Sequence, residues 1–353
     1  MGEKIKKVGI LTGGGDCPGL NPAIRGAVIQ ACALGYECLG IQEGWKGMIN
    51  GEAEPLTPAV VSEIVGQGGT ILGTSRTNPF KKENGVAGVL ATFKKLKLDA
   101  LIAMGGEDTL GVASKLYEEH KCPVVGVPKT MDNDLSATDF TFGFDSASTL
   151  AMEAAERLVD TGRSHRRIVV LEVMGRHAGW VALYTAIASG ADYVCLPERP
   201  VDVEEMTRCL KAAHARKKVA LVVASEAVDF GDSGQEELDE FGHMILKKRG
   251  VADKLCGLIE KKTGIETRGA VIGHMQRGGA PTLFDRILGT RVGVKAAQLV
   301  AQGQFGQMVA LQGNEVTGVP LELATGKLKT VPPEWLALAD LVCAGKAQAL
   351  AVR

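Results

Sequence analysis

The sequence lacks a long apolar run, an excess of charge and any C-x-x-C pair, and each absence excludes a class of protein. No apolar run reaches the ~18 residues that a membrane-spanning helix needs, so we expect no membrane association. The amino terminus, MGEKIKKVGILTG, enters an apolar strand directly and lacks the cleavable apolar segment of a secretion signal. We therefore expect a cytoplasmic protein.

The chain has 40 Lys and Arg residues and 41 Asp and Glu residues, so its net charge is -1. A protein without excess positive charge has no global electrostatic basis for binding nucleic acid or an anionic membrane. The 8 cysteines lie mostly within apolar stretches. We expect buried thiols in a reducing compartment rather than a disulfide framework or a metal site.

Glycine is abundant instead, with 45 residues, many of them at the ends of apolar runs. The run from Lys7 to Leu11 leads into TGGGDCPGLN and then a predicted helix from Pro22 to Leu34. A strand, a glycine loop and a helix in this order direct backbone N–H groups at an anion, although a plain tight turn is the alternative. Pro18 excludes the dinucleotide-binding fingerprint, and no G-K-[ST] follows for a Walker A loop.

A second loop, GGTILGTSR, ends in Arg76, whose guanidinium fork matches phosphate oxygens.

The most informative stretch spans residues 98–134. Two apolar runs, LDALIAM and PVVGV, are typical of buried parallel strands separated by a helix, for which we expect Thr109 to be the cap. Ligands of such units lie at the carboxyl ends of the strands, where the sequence places GGED and PKTMDND. A bound Mg²⁺, or phosphate chemistry that uses a base, would explain why acids crowd this rim: Glu107, Asp108, Asp132 and Asp134.

Apolar runs and helix patterns keep alternating along the chain, which predicts two α/β sheets whose rims share one cleft. We expect Asp145 to cap a helix that ends near Thr161, and a strand at Ile168–Val173. An acidic surface loop is expected at residues 229–240. The tail from residue 303 is less regular and predicts a helix at residues 333–349.

Seven motifs, in order from about residue 8 to residue 300, resemble those of the phosphofructokinases: GGGDCPGLN, GGTILGTSR, MGGEDT, PKTMDND, SHRRI, EVMGRHAG and ETRGAVIGHMQRGG. The resemblance implies an α/β, phosphofructokinase-like fold of two three-layer αβα domains with mainly parallel sheets and an active-site cleft between them. It implies a phosphoryl-donor domain of residues 1–140 plus about 264–303, and a sugar-phosphate domain of about 141–263 plus 304–353. This family transfers a phosphoryl group to O1 of fructose 6-phosphate, giving fructose 1,6-bisphosphate.

The resemblance also implies roles for individual residues. Asp132 resembles the general base that accepts the proton of the sugar hydroxyl, and Thr130 the hydroxyl beside it. Arg176 resembles a cation for the moving phosphoryl group, and Glu107 stands where the family has its Mg²⁺ carboxylate. Such a set suits phosphoryl transfer, which depends on positioning and on stabilising charge. The donor phosphates are expected to contact Gly14, Gly15 and Arg76.

The sugar phosphate is expected to bind a larger group of residues. Arg167 matches an arginine that the family donates from a neighbouring subunit, which implies a homodimer or homotetramer with shared active sites. The other expected binders are Thr130, Met131, Met174, Gly175, Glu226, Arg268, His274 and Arg277.

Two positions depart from the ATP-using members and resemble the diphosphate-dependent branch. Asp108 and Lys129 each replace a glycine. Asp108 would fill the room that the α-phosphate of ATP needs, with a repulsion of about 4 kcal/mol at ~4 Å and an effective dielectric near 20. Lys129 offers a cation to the departing phosphate. The alternative is that Asp108 points away and only caps its helix.

Other functions compete with a diphosphate-dependent enzyme. One is an ATP-dependent phosphofructokinase, and another is an inactive partner subunit that only binds sugar phosphate. Acceptors such as sedoheptulose 7-phosphate stay open. Arg25 matches a family arginine for nucleotide effectors, but Ile29 and Pro58 stand where basic residues would complete that site, so we expect an enzyme without effector control.

Overall fold

The computed structural model describes residues 6–230 and 250–343. The strands within these ranges are β1 Lys7–Thr12, β2 Glu37–Ile41, β3 Ala53–Leu56, β4 Ala100–Gly105, β5 Val124–Pro128, β6 Ile168–Val173, β7 Tyr193–Cys195, β8 Ala220–Ser225, β9 Thr267–Val271, β10 Gln307–Gln312 and β11 Glu315–Pro320. The helices are α1 Leu20–Ala33, α2 Trp45–Asn50, α3 Gly85–Leu96, α4 Glu107–His120, α5 Phe144–His165, α6 Trp180–Ser189, α7 Val203–Lys217, α8 Val251–Thr263, α9 Leu283–Ala301, α10 Leu323–Gly326 and α11 Pro333–Val342.

The first sheet has the strand order β11-β10-β5-β4-β1-β2-β3. Its inner pairs are parallel, whereas the edge strands β3 and β11 are antiparallel to their neighbours. Successive side chains of a strand point to opposite faces, so Ile10 and Leu11 of β1 enter different cores. Helices α1 and α9 cover one face, and α2, α3 and α4 cover the other.

The second sheet has the order β7-β8-β6-β9, with every pair parallel. Val170 of β6 packs towards α7 and α8, and Leu171 packs towards α5, α6 and α11. Each sheet therefore lies between two helical layers. The predicted fold of three-layer αβα domains with mainly parallel sheets is confirmed.

Two predicted helix caps are wrong. Gly106, not Thr109, precedes the first residue of α4, and Thr109 is buried inside that helix. Gly143 precedes α5, while Asp145 lies in its first turn, and the helix continues to His165 rather than ending near Thr161. Both helices begin directly after a glycine, and neither of these glycines provides a side-chain cap. Gly143 has φ 97°, a left-handed conformation that favours glycine.

The tail contains a β-hairpin that the sequence reading missed. Strands β10 and β11 join the first sheet next to β5, so residues 307–320 belong to that sheet and not to the second domain as predicted. Strand β9, predicted to belong to the donor domain, lies instead at the edge of the second sheet. The chain thus crosses back to the first domain between β9 and α9 and leaves it again between β11 and α11, rather than at the predicted boundaries near residues 264 and 304.

Helix α11 confirms the start of the predicted tail helix at Pro333. Its predicted continuation to Ala349, and most of the acidic loop expected at residues 229–240, lie outside the described residues. Among the helices in the described ranges, none is both long and apolar enough to cross a membrane.

Candidate active site

A cleft lies at the carboxyl ends of β1, β4, β5 and β6, where the two domains meet. It brings together residues that are far apart in sequence, from the glycine loop after β1 to the 3-10 helix Gly273–Arg277. The predicted site residues that line it are Gly14, Gly15, Arg76, Glu107, Asp108, Lys129, Thr130, Met131, Asp132, Arg176 and Arg277.

The glycine loop after β1 leaves no room for a side chain at Gly13 or Gly15. The N–H of Gly13 donates to Met104 O at 2.9 Å, and the N–H of Gly14 donates to Ser75 O at 3.1 Å, which fixes the loop against its neighbours. A Cβ on Gly15 would lie 2.6 Å from Nη1 of Arg277. The absence of a side chain at residue 15 therefore lets this arginine approach the loop from the second domain.

Lys129 occupies the floor of the cleft. Its side chain is buried, and its ammonium group donates to Gly15 O. Burial lowers the pKa of the Lys129 ammonium group from its usual 10.5, since a charged amine loses hydration there. The cation is held directly below the loop that we expect to contact the donor phosphates.

Asp132 also lines the cleft, within electrostatic reach of Lys129, Arg176 and Arg277. Its Oδ1 is buried and has no hydrogen-bond partner within the described residues. Burial, followed by the negative charge of Asp134, raises the pKa of Asp132 from 3.8 to about 6, while Arg277 and Arg176 oppose the rise. A carboxylate with a raised pKa and an unsatisfied oxygen is well suited to accept a proton from a bound hydroxyl.

Residues after β6 and β8 complete the wall around Asp132. The N–H of Gly175 lies 3.5 Å from Oε1 of Glu226, and Ser225 Oγ donates to Gly175 O at 2.8 Å. Gly175 has φ 147°, which favours glycine. Burial and the charge of Asp132 raise the pKa of the Glu226 carboxyl, so the two acids lie within electrostatic reach of each other. Met174 is buried beside them.

Glu107 and Asp108 are the first two residues of α4 and face the cleft. No cluster of three or more side chains able to ligate a metal occurs within residues 6–230 and 250–343. Mg²⁺ commonly binds one or two protein carboxylates and completes its coordination with substrate phosphates and water. The pKa of the buried Asp134 is raised chiefly by burial and also by the charge of Glu107, an unfavourable closeness that a divalent cation would relieve. The residues present therefore fit Mg²⁺ held by Glu107 together with a phosphate ligand.

Three other predicted sugar-phosphate binders belong neither to the residues that line this cleft nor to the wall around Asp132 in the single chain. His274 is exposed on the 3-10 helix Gly273–Arg277. Arg167 and Arg268 lie at the opposite, amino-terminal ends of β6 and β9, and both pair with Glu266, the first at 2.8 Å from Nε. Strand β6 has 6 residues. At ~3.3 Å per residue, Arg167 lies roughly 20 Å from the carboxyl end of β6, and Arg268, which is level with Val169, lies roughly 13 Å from it.

The structure also brings into the site a residue that was not predicted from the sequence. Gln276 is buried, accepts from the N–H of Met174 at 2.8 Å and donates to Ala147 O at 3.2 Å. It thereby joins the segment bearing Arg176 to the 3-10 helix bearing Arg277. Its position within HMQRGG, between two predicted phosphate binders, was the available signal.

The geometry of the fold and cleft agrees with comparisons to known proteins. The phosphofructokinase family model matches residues 7–300. A relative from Dictyoglomus thermophilum, named pyrophosphate–fructose 6-phosphate 1-phosphotransferase, is 49% identical over 93% of this chain and 95% of its own length. A relative from Streptomyces coelicolor, named ATP-dependent 6-phosphofructokinase 3, is 44% identical over 95% of this chain and 99% of its own length. The crystal structure of the pyrophosphate-dependent phosphofructokinase from Nitrosospira multiformis superposes with a TM-score of 0.82 at 20% identity, covering 93% of this chain and 86% of that one, and so supports the fold alone.

The fold, the cleft between two αβα domains and these matches define a phosphotransferase. The chain belongs to the phosphofructokinase family.

Proposed function

We propose that this protein transfers a phosphoryl group from diphosphate to O1 of fructose 6-phosphate, reversibly, giving fructose 1,6-bisphosphate and phosphate. The observation that carries the proposal is the placement of Asp132 in a cleft with Lys129, Arg176 and Arg277. The relative from Dictyoglomus thermophilum bears the name of this activity.

Asp132 is proposed as the general base. The sugar O1 attacks one phosphorus of diphosphate, the bridging P–O bond breaks, phosphate leaves, and the O1 proton passes to the carboxylate. A pKa of about 6 keeps the carboxylate ionised at neutral pH and close to the pKa that favours proton transfer there. Arg176 and Lys129 are proposed to stabilise the negative charge on the moving and departing groups.

Asp108 is proposed to select diphosphate over ATP. Asp108 lines the cleft and also an adjoining pocket formed by Asn78, Phe80, Lys115 and Thr325. A nucleoside attached to the donor phosphates would have to pass this carboxylate to enter that pocket. The alternative is that Asp108 only stabilises the first turn of α4, where it lies.

Mg²⁺ is proposed as the cofactor, with Glu107 as its protein ligand. A bound Mg²⁺ would neutralise phosphate charge and orient the donor. Glu107 begins α4, so its carboxylate is held at the cleft edge by the helix rather than by a loop. The remaining ligands would be donor phosphate oxygens and water, as is usual for this ion.

Shared active sites are proposed to complete the sugar-phosphate pocket. Arg167 and Arg268 lie too far from the cleft of their own chain to reach its ligand, yet lie side by side at the amino-terminal ends of the neighbouring strands β6 and β9. Apolar side chains are exposed further along the edge strand β9 and after it, with Val271 at 61% and Met275 at 67%. We infer a homodimer or homotetramer in which these arginines enter the cleft of a neighbouring copy.

A cytoplasmic location is part of the proposal. All 8 cysteines are free thiols, and most of them are buried. Unpaired thiols persist in a reducing compartment.

The proposal is tested by a coupled assay that detects fructose 1,6-bisphosphate with either diphosphate or ATP as donor. Activity with diphosphate, dependent on Mg²⁺, is the expected result. Activity with ATP alone would make the protein an ATP-dependent phosphofructokinase. Binding of fructose 6-phosphate without turnover of either donor would identify an inactive partner subunit.

A further inference from the structure

A short segment of the tail, Lys327–Val331, crosses the loop that bears Asp132, and we call it the strap. Leu328 forms an antiparallel bridge with Leu135, and the N–H of Lys329 donates to Asp134 O at 2.8 Å. At its far end the N–H of Val331 donates to Glu198 Oε1 at 3.0 Å. The strap thus runs from the loop after β5 to the second domain.

Lys329 makes the densest set of contacts in the strap. Its ammonium group donates to Asn133 Oδ1 at 3.0 Å, to Thr138 O at 2.9 Å and to Asp139 O at 2.8 Å. An ammonium group has three N–H donors, so these three acceptors saturate it. All three acceptors belong to the loop that begins with Asp132.

This loop needs support from outside. Asn133 has φ 51° and Ala137 has φ 66°, a left-handed conformation that costs free energy for residues other than glycine. Oδ1 of Asn133 also accepts from the N–H of Thr141 at 3.1 Å. Asn133 directly follows Asp132, so the position of the carboxylate depends on how firmly Asn133 is held.

The other side of Lys329 contacts the second domain. Trp180, the first residue of α6, donates its indole N–H to Lys329 O at 2.7 Å. The ammonium group lies 5.8 Å from the centroid of the same ring, within the range of a cation–π contact. One residue therefore joins the loop of the first sheet to a helix of the second.

We propose that Lys329 is a positioning residue for catalysis, which holds the loop bearing Asp132 in its reactive conformation against the second domain. The inference rests on the proposed role of Asp132 as the base. Within the described residues, Lys329 contacts none of the side chains to which we assign a role in the reaction. It therefore acts through the loop.

The surroundings of Lys329 give this role a signature in the pH dependence. Burial lowers the pKa of Lys329 from 10.5 to about 8, against the attraction of Asp139 and Asp134, the acids that face it. Above pH 8 the amine has lost one of its three donors, so the loop loses a hydrogen bond.

The stability of the protein depends on pH in a different way. A lowered pKa in the folded protein makes the contribution of this lysine to stability rise, not fall, between pH 8 and pH 10.5.

The experiment compares Lys329→Met with Lys327→Met, a matched control at an exposed side chain of the same strap. Lys329→Met is expected to lower kcat by on the order of tenfold to a hundredfold, because small misplacements of a reacting group cost that much. KM for fructose 6-phosphate should stay within about twofold, since the sugar-phosphate binders are untouched. The alkaline decline of kcat near pH 8 should be present in the wild type and in Lys327→Met, and absent in Lys329→Met.

Trp180→Phe serves as a second variant should Lys329→Met fail to fold. It keeps the aromatic ring and removes the indole donor, so a smaller decrease of kcat in the same direction is expected. If Lys329→Met folds and its kcat equals that of Lys327→Met, the inference is overturned. If Lys329→Met does not fold, a kcat of Trp180→Phe equal to that of Lys327→Met overturns it. An unchanged alkaline limb in Lys329→Met would also overturn it. A wild type without diphosphate-dependent activity would instead overturn the proposed function.

Discussion

Replacing Asp132 by Asn is expected to abolish most activity while making the protein more stable. Folding places this carboxyl where its pKa rises from 3.8 to about 6. At 1.36 kcal/mol per pKa unit, holding it ionised in the folded state costs about 3 kcal/mol. Oδ1 is buried and accepts no hydrogen bond from the part of the chain that the structure describes, so replacing the carboxylate by an amide removes little hydrogen bonding.

The sign of this effect depends on pH. Below about pH 3.8 both the folded and the unfolded protein carry the proton, so the carboxyl has no cost. Between 3.8 and about 6 the folded protein binds more protons, and stability falls as pH rises. Above pH 6 the full cost remains. Asp132→Asn should therefore be more stable than the wild type at pH 7 by up to about 3 kcal/mol, with the difference shrinking towards pH 4.

Thermal unfolding of both proteins at pH 7 and at pH 4.5 measures the difference, and steady-state kinetics measures the loss of activity. Loss of a general base is expected to lower kcat by ~10²–10⁴. A higher melting temperature in Asp132→Asn at pH 7, together with this loss, would support the site as a place where stability is given up for reactivity. Equal or lower stability of the variant at pH 7 would refute the argument that burial strains the ionised carboxylate.

Three further predictions concern assembly, metal and the glycine loop. Mixing Arg167→Ala with Asp132→Ser protein should restore part of the activity through hybrid sites; no restoration despite measured subunit exchange would place Arg167 within its own chain. Glu107→Gln should raise the Mg²⁺ concentration needed for half-maximal rate, and an unchanged Mg²⁺ titration would exclude Glu107 as the ligand. Gly15→Ala should raise KM for fructose 6-phosphate by displacing Arg277, because the new Cβ would lie 2.6 Å from the guanidinium; an unchanged KM would mean that Arg277 does not bind the sugar phosphate.

Local patterns in the sequence predicted most of the fold. Strand β6 was predicted with the bounds that the structure shows, because it is a clear apolar run bounded by charged and turn residues. The hairpin of β10 and β11 was missed although the tail carries a two-residue Gly313-Asn314 turn, with Gly313 at φ 61°, between two short runs. That turn is a recognised hairpin signal.

The candidate site was predictable only in part. Residues at the rim of the sheet, such as Asp132, could be predicted because they come shortly after the carboxyl end of a strand, where parallel sheets bind their ligands. Lys329 and Gln276 could not be found in this way, because each contacts segments more than a hundred residues away in the sequence, and such contacts leave no local pattern. The place of Arg268 depends on the sheet to which β9 belongs, which the sequence did not reveal.

The central claim is that charge at residues 108 and 129 selects diphosphate over ATP. The most direct measurement is kcat/KM for both donors in the wild type, Asp108→Gly, Lys129→Gly and the double variant. We expect the wild type to prefer diphosphate, Asp108→Gly to gain ATP activity chiefly through a lower KM, and Lys129→Gly to lose kcat with diphosphate without gaining ATP use. The double variant should favour ATP more than either single variant, since both residues face one donor. A wild type that prefers ATP, or an Asp108→Gly variant whose use of ATP is unchanged, would contradict the account.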